Sequence, residues 1–106
     1  MAKAFSGTLK QIRRLAAQRK VCFTLKALRE LANLEIGLDA EDACDVLASL
    51  KPADFVGRVR SKVTGERMYI LKPVVAEIVL YVKVILRDDC LVVSFHEDEG
   101  ADEQDP

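Results

Sequence analysis

Hydrophobic positions recur with two different periods along this chain, and the change falls at Pro52. Before it, Leu9, Ile12, Leu15 and Ala16 recur at helical spacing, with Lys10, Arg13 and Arg14 largely off that stripe. Thr8-Leu-Lys-Gln11 has the form of a capping box, which predicts a first helix opening at Thr8. Thr24 can cap a second helix carrying Leu25, Leu28, Leu31 and Ala32. Asp39, after the Gly37-Leu38 break, can cap a third with Ala43, Val46, Leu47 and Leu50 inward. Pro52 stops it, because proline has no amide hydrogen to continue the ladder.

Beyond Pro52 the period is two. Phe55 to Val63 reads as a strand with Arg58, Arg60 and Lys62 on one face and Val59, Ser61 and Val63 on the other. Thr64-Gly65 is the predicted tight turn, which sets Tyr69 of the next strand opposite Arg60. That second strand runs from Arg67 to about Lys72 and ends before Pro73. Ile78 to Leu86 and Cys90 to His96 are a third and fourth strand. Helices followed by an antiparallel sheet make the predicted fold class α+β.

If Asp88-Asp89 is a two-residue loop, Lys83 faces Ser94 and Tyr81 faces His96. Ile78, Leu80, Val82, Val84 and Leu86 then share an apolar face with Leu91, Val93 and Phe95, which must pack on the helices. The reverse face gathers a phenol, an ammonium and the chain's single imidazole, opposed side chains being roughly 4.5–5.5 Å apart at Cβ. With the basic strand taken to lie on the same surface, this set suits cleavage of RNA by its own 2′-hydroxyl. Imidazole, with an ordinary pKa of about 6.5, can move the protons. Arginine and lysine can hold the phosphate, and a tyrosine can stack on a splayed base. His96, Tyr81 and Lys83 are therefore the candidate catalytic residues, and Arg58, Arg60, Lys62 and Tyr69 the candidate RNA-binding ones. No metal and no cofactor is called for. Cys90, beside the last turn, is read as an inert thiol.

Composition narrows the classes. The 106 residues suit a single domain, and half of them are hydrophobic, enough for a folded core. No apolar run nears the ~20 residues of a membrane span, the residues after Met1 lack the apolar stretch of a signal peptide, and three scattered cysteines make neither a disulfide framework nor a zinc cage. Secreted mini-protein, membrane protein and zinc finger are thereby set aside, and the expected compartment is the cytoplasm. The net charge of −1 hides an asymmetry: residues 97–106 hold six acids and no base, so residues 1–96 carry 16 basic against 11 acidic groups. The expected organisation is one domain over 1–96 and an acidic, disordered tail over 97–106.

The ordered set Leu9-x-x-Ile12-Arg-Arg-Leu15, Glu35-Ile-Gly-Leu-Asp39, Cys44-Asp-Val46, Leu50-x-x-x-Asp54-Phe55, Lys72-Pro73, Leu80-Tyr81-Val82-Lys83 and Asp89-Cys-Leu-Val-Val-Ser94-Phe95 resembles the motility quorum-sensing regulator (MqsR) family of bacterial toxins, within the RelE-like fold. The resemblance covers about residues 9 to 96. It implies a metal-independent mRNA endoribonuclease that arrests growth, held inactive by a cognate antitoxin protein, with helices on one face of the sheet and mRNA on the other. It carries the family's tyrosine and following lysine onto Tyr81 and Lys83. A basic residue falls on His96, while an expected lysine and glutamine fall on Gly57 and Met68. The alternative from another class is a non-catalytic RNA-binding or regulatory module that uses the same basic face.

Overall fold

A computed structural model describes residues 3–99, with side chains from Gly7 onward; the last seven residues of the expected acidic tail lie outside it. The elements are α1 (Lys3–Ala17), β1 (Val21–Phe23), α2 (Leu25–Ala32), α3 (Ala40–Ala48), a short 3-10 turn at Pro52–Asp54, β2 (Phe55–Arg60), β3 (Arg67–Leu71), β4 (Val74–Val75), β5 (Ile78–Leu86) and β6 (Cys90–Glu97). None of the helices is long and apolar enough to cross a membrane. The main sheet runs β1-β6-β5-β3-β2, with β4 paired to β5. The architecture is α+β, as expected.

Two of the three predicted caps hold. The Thr24 hydroxyl accepts from Ala27 N–H at 3.0 Å, and Asp39 and Asp42 form a reciprocal capping box. Thr8 does not cap, because α1 already opens at Lys3 and Thr8 sits inside it. The apolar stripe of α1 is buried as read, together with Ala43, Leu47 and Leu50 of the α3 region. The stripe on α2 is corrected: Leu25 and Leu28 are 63% and 43% exposed, and Ala27 and Leu31 are the buried pair.

The unpredicted β1 lies parallel to β6, pairing Val21 with Cys90 and Phe23 with Val92. Past Phe23 the chain turns into α2, whose side chains continue to cover the edge of β6. Glu30 Oε1 accepts from Phe95 N–H at 2.9 Å, and Lys26 Nζ donates to Ser94 Oγ at 2.9 Å. The otherwise open edge of β6 is thus hydrogen-bonded by a helix.

The Thr64-Gly65 hairpin is also corrected. Ser61 N–H donates to Glu66 O and Gly65 N–H to Ser61 O, so a longer loop replaces the two-residue turn. Gly65 takes φ +79, the left-handed conformation that threonine resists, while the Ser61 hydroxyl accepts from Val63 and Thr64 N–H. Lys62 therefore lies in this loop and not on a strand, and Tyr69 pairs with Arg58 instead of Arg60.

Candidate active site

Cross-strand partners project to the same face of a sheet, so the register sorts every strand side chain. Phe55, Leu71, Val82 and Phe95 form one row across β2, β3, β5 and β6; Arg58, Tyr69, Val84 and Val92 form the next. Leu71, Val82, Phe95, Val84 and Val92 are all buried in the core beneath the helices, so both rows belong to the helix-side face. The reverse face carries Gly57, Ile70, Lys83 and Ser94 in one row, with Tyr81 opposite His96 beside it.

The candidate residues consequently divide. Tyr81, Lys83 and His96 come together on the open face, as the hairpin predicted. Arg58, Arg60 and Tyr69 do not join them. Tyr69 packs against the core and meets Phe55 edge-on at 5.9 Å between ring centroids, and Arg60 Nη1 donates to Gly65 O at 2.8 Å, within its own hairpin. The physical reason is a bulge at Val56, between Phe55 and Gly57, which reverses the parity of everything that follows it on β2. The same bulge turns Gly57 to the open side, and Val59 pairs Met68 there. The two positions where the family resemblance implies a lysine and a glutamine thus both face the Tyr81 side, although neither residue here carries a polar side chain.

The Tyr81–His96 pairing arises from two compensating departures. The loop between β5 and β6 spans Arg87, Asp88 and Asp89, one residue more than predicted, which pairs Leu86 with Cys90 and Val84 with Val92. A bulge at Val93 then absorbs the extra residue, and from Lys83–Ser94 onward the register is the predicted one. Because of the bulge, Cys90 and Val92 replace Leu91 and Val93 on the buried face. Burial pushes the Cys90 thiol up to about 12, in keeping with an inert cysteine.

At the site the Tyr81 and His96 rings stack nearly parallel, 5.2 Å between centroids and 12° between planes. Lys83 Nζ lies 5.7 Å and Lys72 Nζ 5.8 Å from the Tyr81 centroid, both within cation–π range. Burial holds the Tyr81 phenol above its ordinary pKa, opposed by Lys72 and reinforced by Asp98, so it stays protonated and able to donate. Lys83 is lowered by burial first and by Lys26 second, with Glu30 acting against both. His96 Nδ1 is 2.8 Å from Glu97 O. A carbonyl can only accept, so a neutral imidazole in that contact carries its proton on Nδ1 and leaves Nε2 as the free acceptor.

A recess of about 480 Å³, whose lining includes Glu30, Glu35, Glu97 and Glu99, also borders His96. Burial acts to raise the Glu30 carboxyl, but the Phe95 N–H bond and Lys26 outweigh it and the net direction is down. An anion is therefore repelled from the recess and drawn to the lysine side. Among the described residues no group of three or more His, Cys, Asp or Glu is set to hold a metal. Sequence reasoning missed Lys72 as a member of this cluster, because the predicted hairpin set Leu71 on the side of Tyr69, Arg58 and Arg60 and so turned Lys72 away; in the structure Leu71 is buried and Lys72 lies over the Tyr81 ring. Lys26 and Glu30 had no such signal, since they reach β6 from a helix more than sixty residues away in sequence.

No curated protein matches the chain. The family described as "Motility quorum-sensing regulator, toxin of MqsA" matches it over residues 6–97, so its partner in a toxin–antitoxin pair is an MqsA-type antitoxin. With that match spanning most of the sequence and the α+β fold in accord, the chain belongs to the MqsR toxin family.

Proposed function

We propose that this toxin acts as an mRNA endoribonuclease, cutting RNA through its own 2′-hydroxyl and so arresting translation and growth. The observation that supports this best is the stacked Tyr81–His96 pair on the open face of the sheet, with two lysine ammoniums over the tyrosine ring. In this reading His96 Nε2 takes the proton of the 2′-hydroxyl, whose oxygen attacks the adjacent phosphorus as the P–O5′ bond breaks. The Tyr81 phenol protonates the departing 5′-oxygen, and Lys83 steadies the crowded phosphate. The products are a 2′,3′-cyclic phosphate and a 5′-hydroxyl. Every group these steps use is a side chain or part of the RNA itself, so the expected reaction proceeds in chelator.

The test is incubation of the purified protein with RNA and chelator, and expression without antitoxin. Cyclic-phosphate ends are expected from the wild type. His96→Ala is expected to lose about 10²–10⁴-fold in cleavage rate and to abolish growth arrest with an unchanged melting curve, because the half-buried ring leaves no apolar cavity. Undiminished cleavage and arrest by that variant would remove His96 from the mechanism. RNA that is retained but intact with wild-type protein would favour the non-catalytic binding module.

A further inference from the structure

Beyond β6, Asp98 is still fastened to the sheet. Its N–H donates to Val79 O at 2.8 Å, and its Oδ2 lies 3.3 Å from Lys72 Nζ. Lys72 is itself fixed, its N–H donating to Asp54 O at 2.7 Å, and its ammonium is one of the two beside the Tyr81 ring. The other, Lys83, makes no ion pair among the described residues. Of the two ammoniums over the tyrosine ring, one is therefore without an anionic partner among the described residues, and the other already holds one. The carboxylate is the more enclosed partner, its side chain 17% exposed against 35% for Lys72, so the lysine is the member that an incoming ligand can reach.

We propose that Lys72 is a latent second phosphate-binding residue of the site, and that Asp98 occupies it in the wild-type protein as an internal anion that keeps RNA phosphate off it until the pair is broken. This deepens the RNA-cleaving reading and rests on it. A phosphodiester and a carboxylate compete for the same ammonium because both are anionic oxygen acceptors of similar reach. A single ion pair that keeps its lysine partly exposed is weak enough to be exchanged, and Tyr81 lies within cation–π range of both lysines. Asp98 thereby sets the threshold of affinity that an RNA must exceed before it engages both lysines beside Tyr81.

The experiment uses the full chain and a 2′-deoxy oligonucleotide, which cannot be cut, with binding followed by fluorescence anisotropy across a salt series. Asp98→Asn keeps the shape and the backbone bond to Val79. It is expected to bind about two- to five-fold more tightly, with a log K against log salt slope steeper by about 0.7, one further phosphate contact to a single strand. Lys72→Gln alone is expected to change little, since its charge is already engaged, whereas Lys72→Gln added to Asp98→Asn is expected to erase both gains. Binding by Asp98→Asn that is equal or weaker at an unchanged melting temperature overturns the proposal, as does tightening that survives Lys72→Gln. Wild-type protein that cleaves RNA while Asp98→Asn binds no more tightly leaves the nuclease reading standing and removes only this one. No binding by either protein, together with no cleavage of RNA by the wild type, removes both.

Discussion

Glu66 sits in the β2–β3 loop and Arg87 in the β5–β6 loop, yet the two meet as a fork: Arg87 Nε and Nη2 donate to the two carboxylate oxygens at 2.9 and 2.6 Å. Arg87, with help from the Thr64 hydroxyl, holds Glu66 down to about 2, against roughly 4.3 in an unfolded chain. A carboxylate depressed in the folded state contributes stability that is present above its unfolded value. That contribution fades as the pH falls from about 5 toward 2. Glu66→Gln is therefore expected to lower the melting temperature at pH 7 and to flatten its fall over that acid window. Parallel melting curves for variant and wild type, pH by pH, would show that the fork contributes nothing. Added salt is expected to shrink the difference, since both side chains are partly exposed.

At the level of elements, residues that satisfy their own neighbours were legible and residues that serve distant ones were not. Thr24 and Asp39 cap helices through hydrogen bonds three residues along, a pattern visible in any linear reading. Leu25 and Leu28 misled because α2 lies along the edge of β6, so it buries Ala27 and Leu31 and leaves the leucines outside. The β4–β5 hairpin shows the opposite case, a strained turn with no sequence signature. Ala76 and Glu77 take φ of 51 and 68 between paired Val75 and Ile78, the geometry in which asparagine and glycine are favoured. Replacing Ala76-Glu77 by Asn-Gly is expected to stabilise the protein by about 1 kcal/mol in chemical denaturation. A loss of stability would mean that the left-handed backbone costs little here.

For the whole molecule, the decisive feature is which face of the sheet each charge occupies. The bulge at Val56 sends Arg58 and Arg60 to the helix side and leaves Tyr81, Lys83, His96 and Lys72 on the other. RNA lying on the open face touches the arginines only by passing around β2, the edge strand. Replacing Arg58 and Arg60 together by alanine is accordingly expected to slow RNA cleavage less than Lys83→Ala alone, measured as kcat/KM on one RNA. The reverse order would place the RNA across the β2 edge and move the functional surface.

The linear order of the chain was enough to determine the main helices and strands, two of the helix caps and the α+β class, because periodicity and capping involve residues a few positions apart; the predicted pairing of Tyr81 with His96 is met only because the bulge at Val93 offsets the longer loop. It could not determine the three-residue β1, the covering of β6 by Lys26 and Glu30, or the sides taken by Arg58 and Tyr69. Those depend on partners brought together only by folding and on single-residue bulges at Val56 and Val93. Side chains on a strand alternate with a period of two, so one inserted residue exchanges inside for outside, and only the packed sheet decides where that insertion is tolerated.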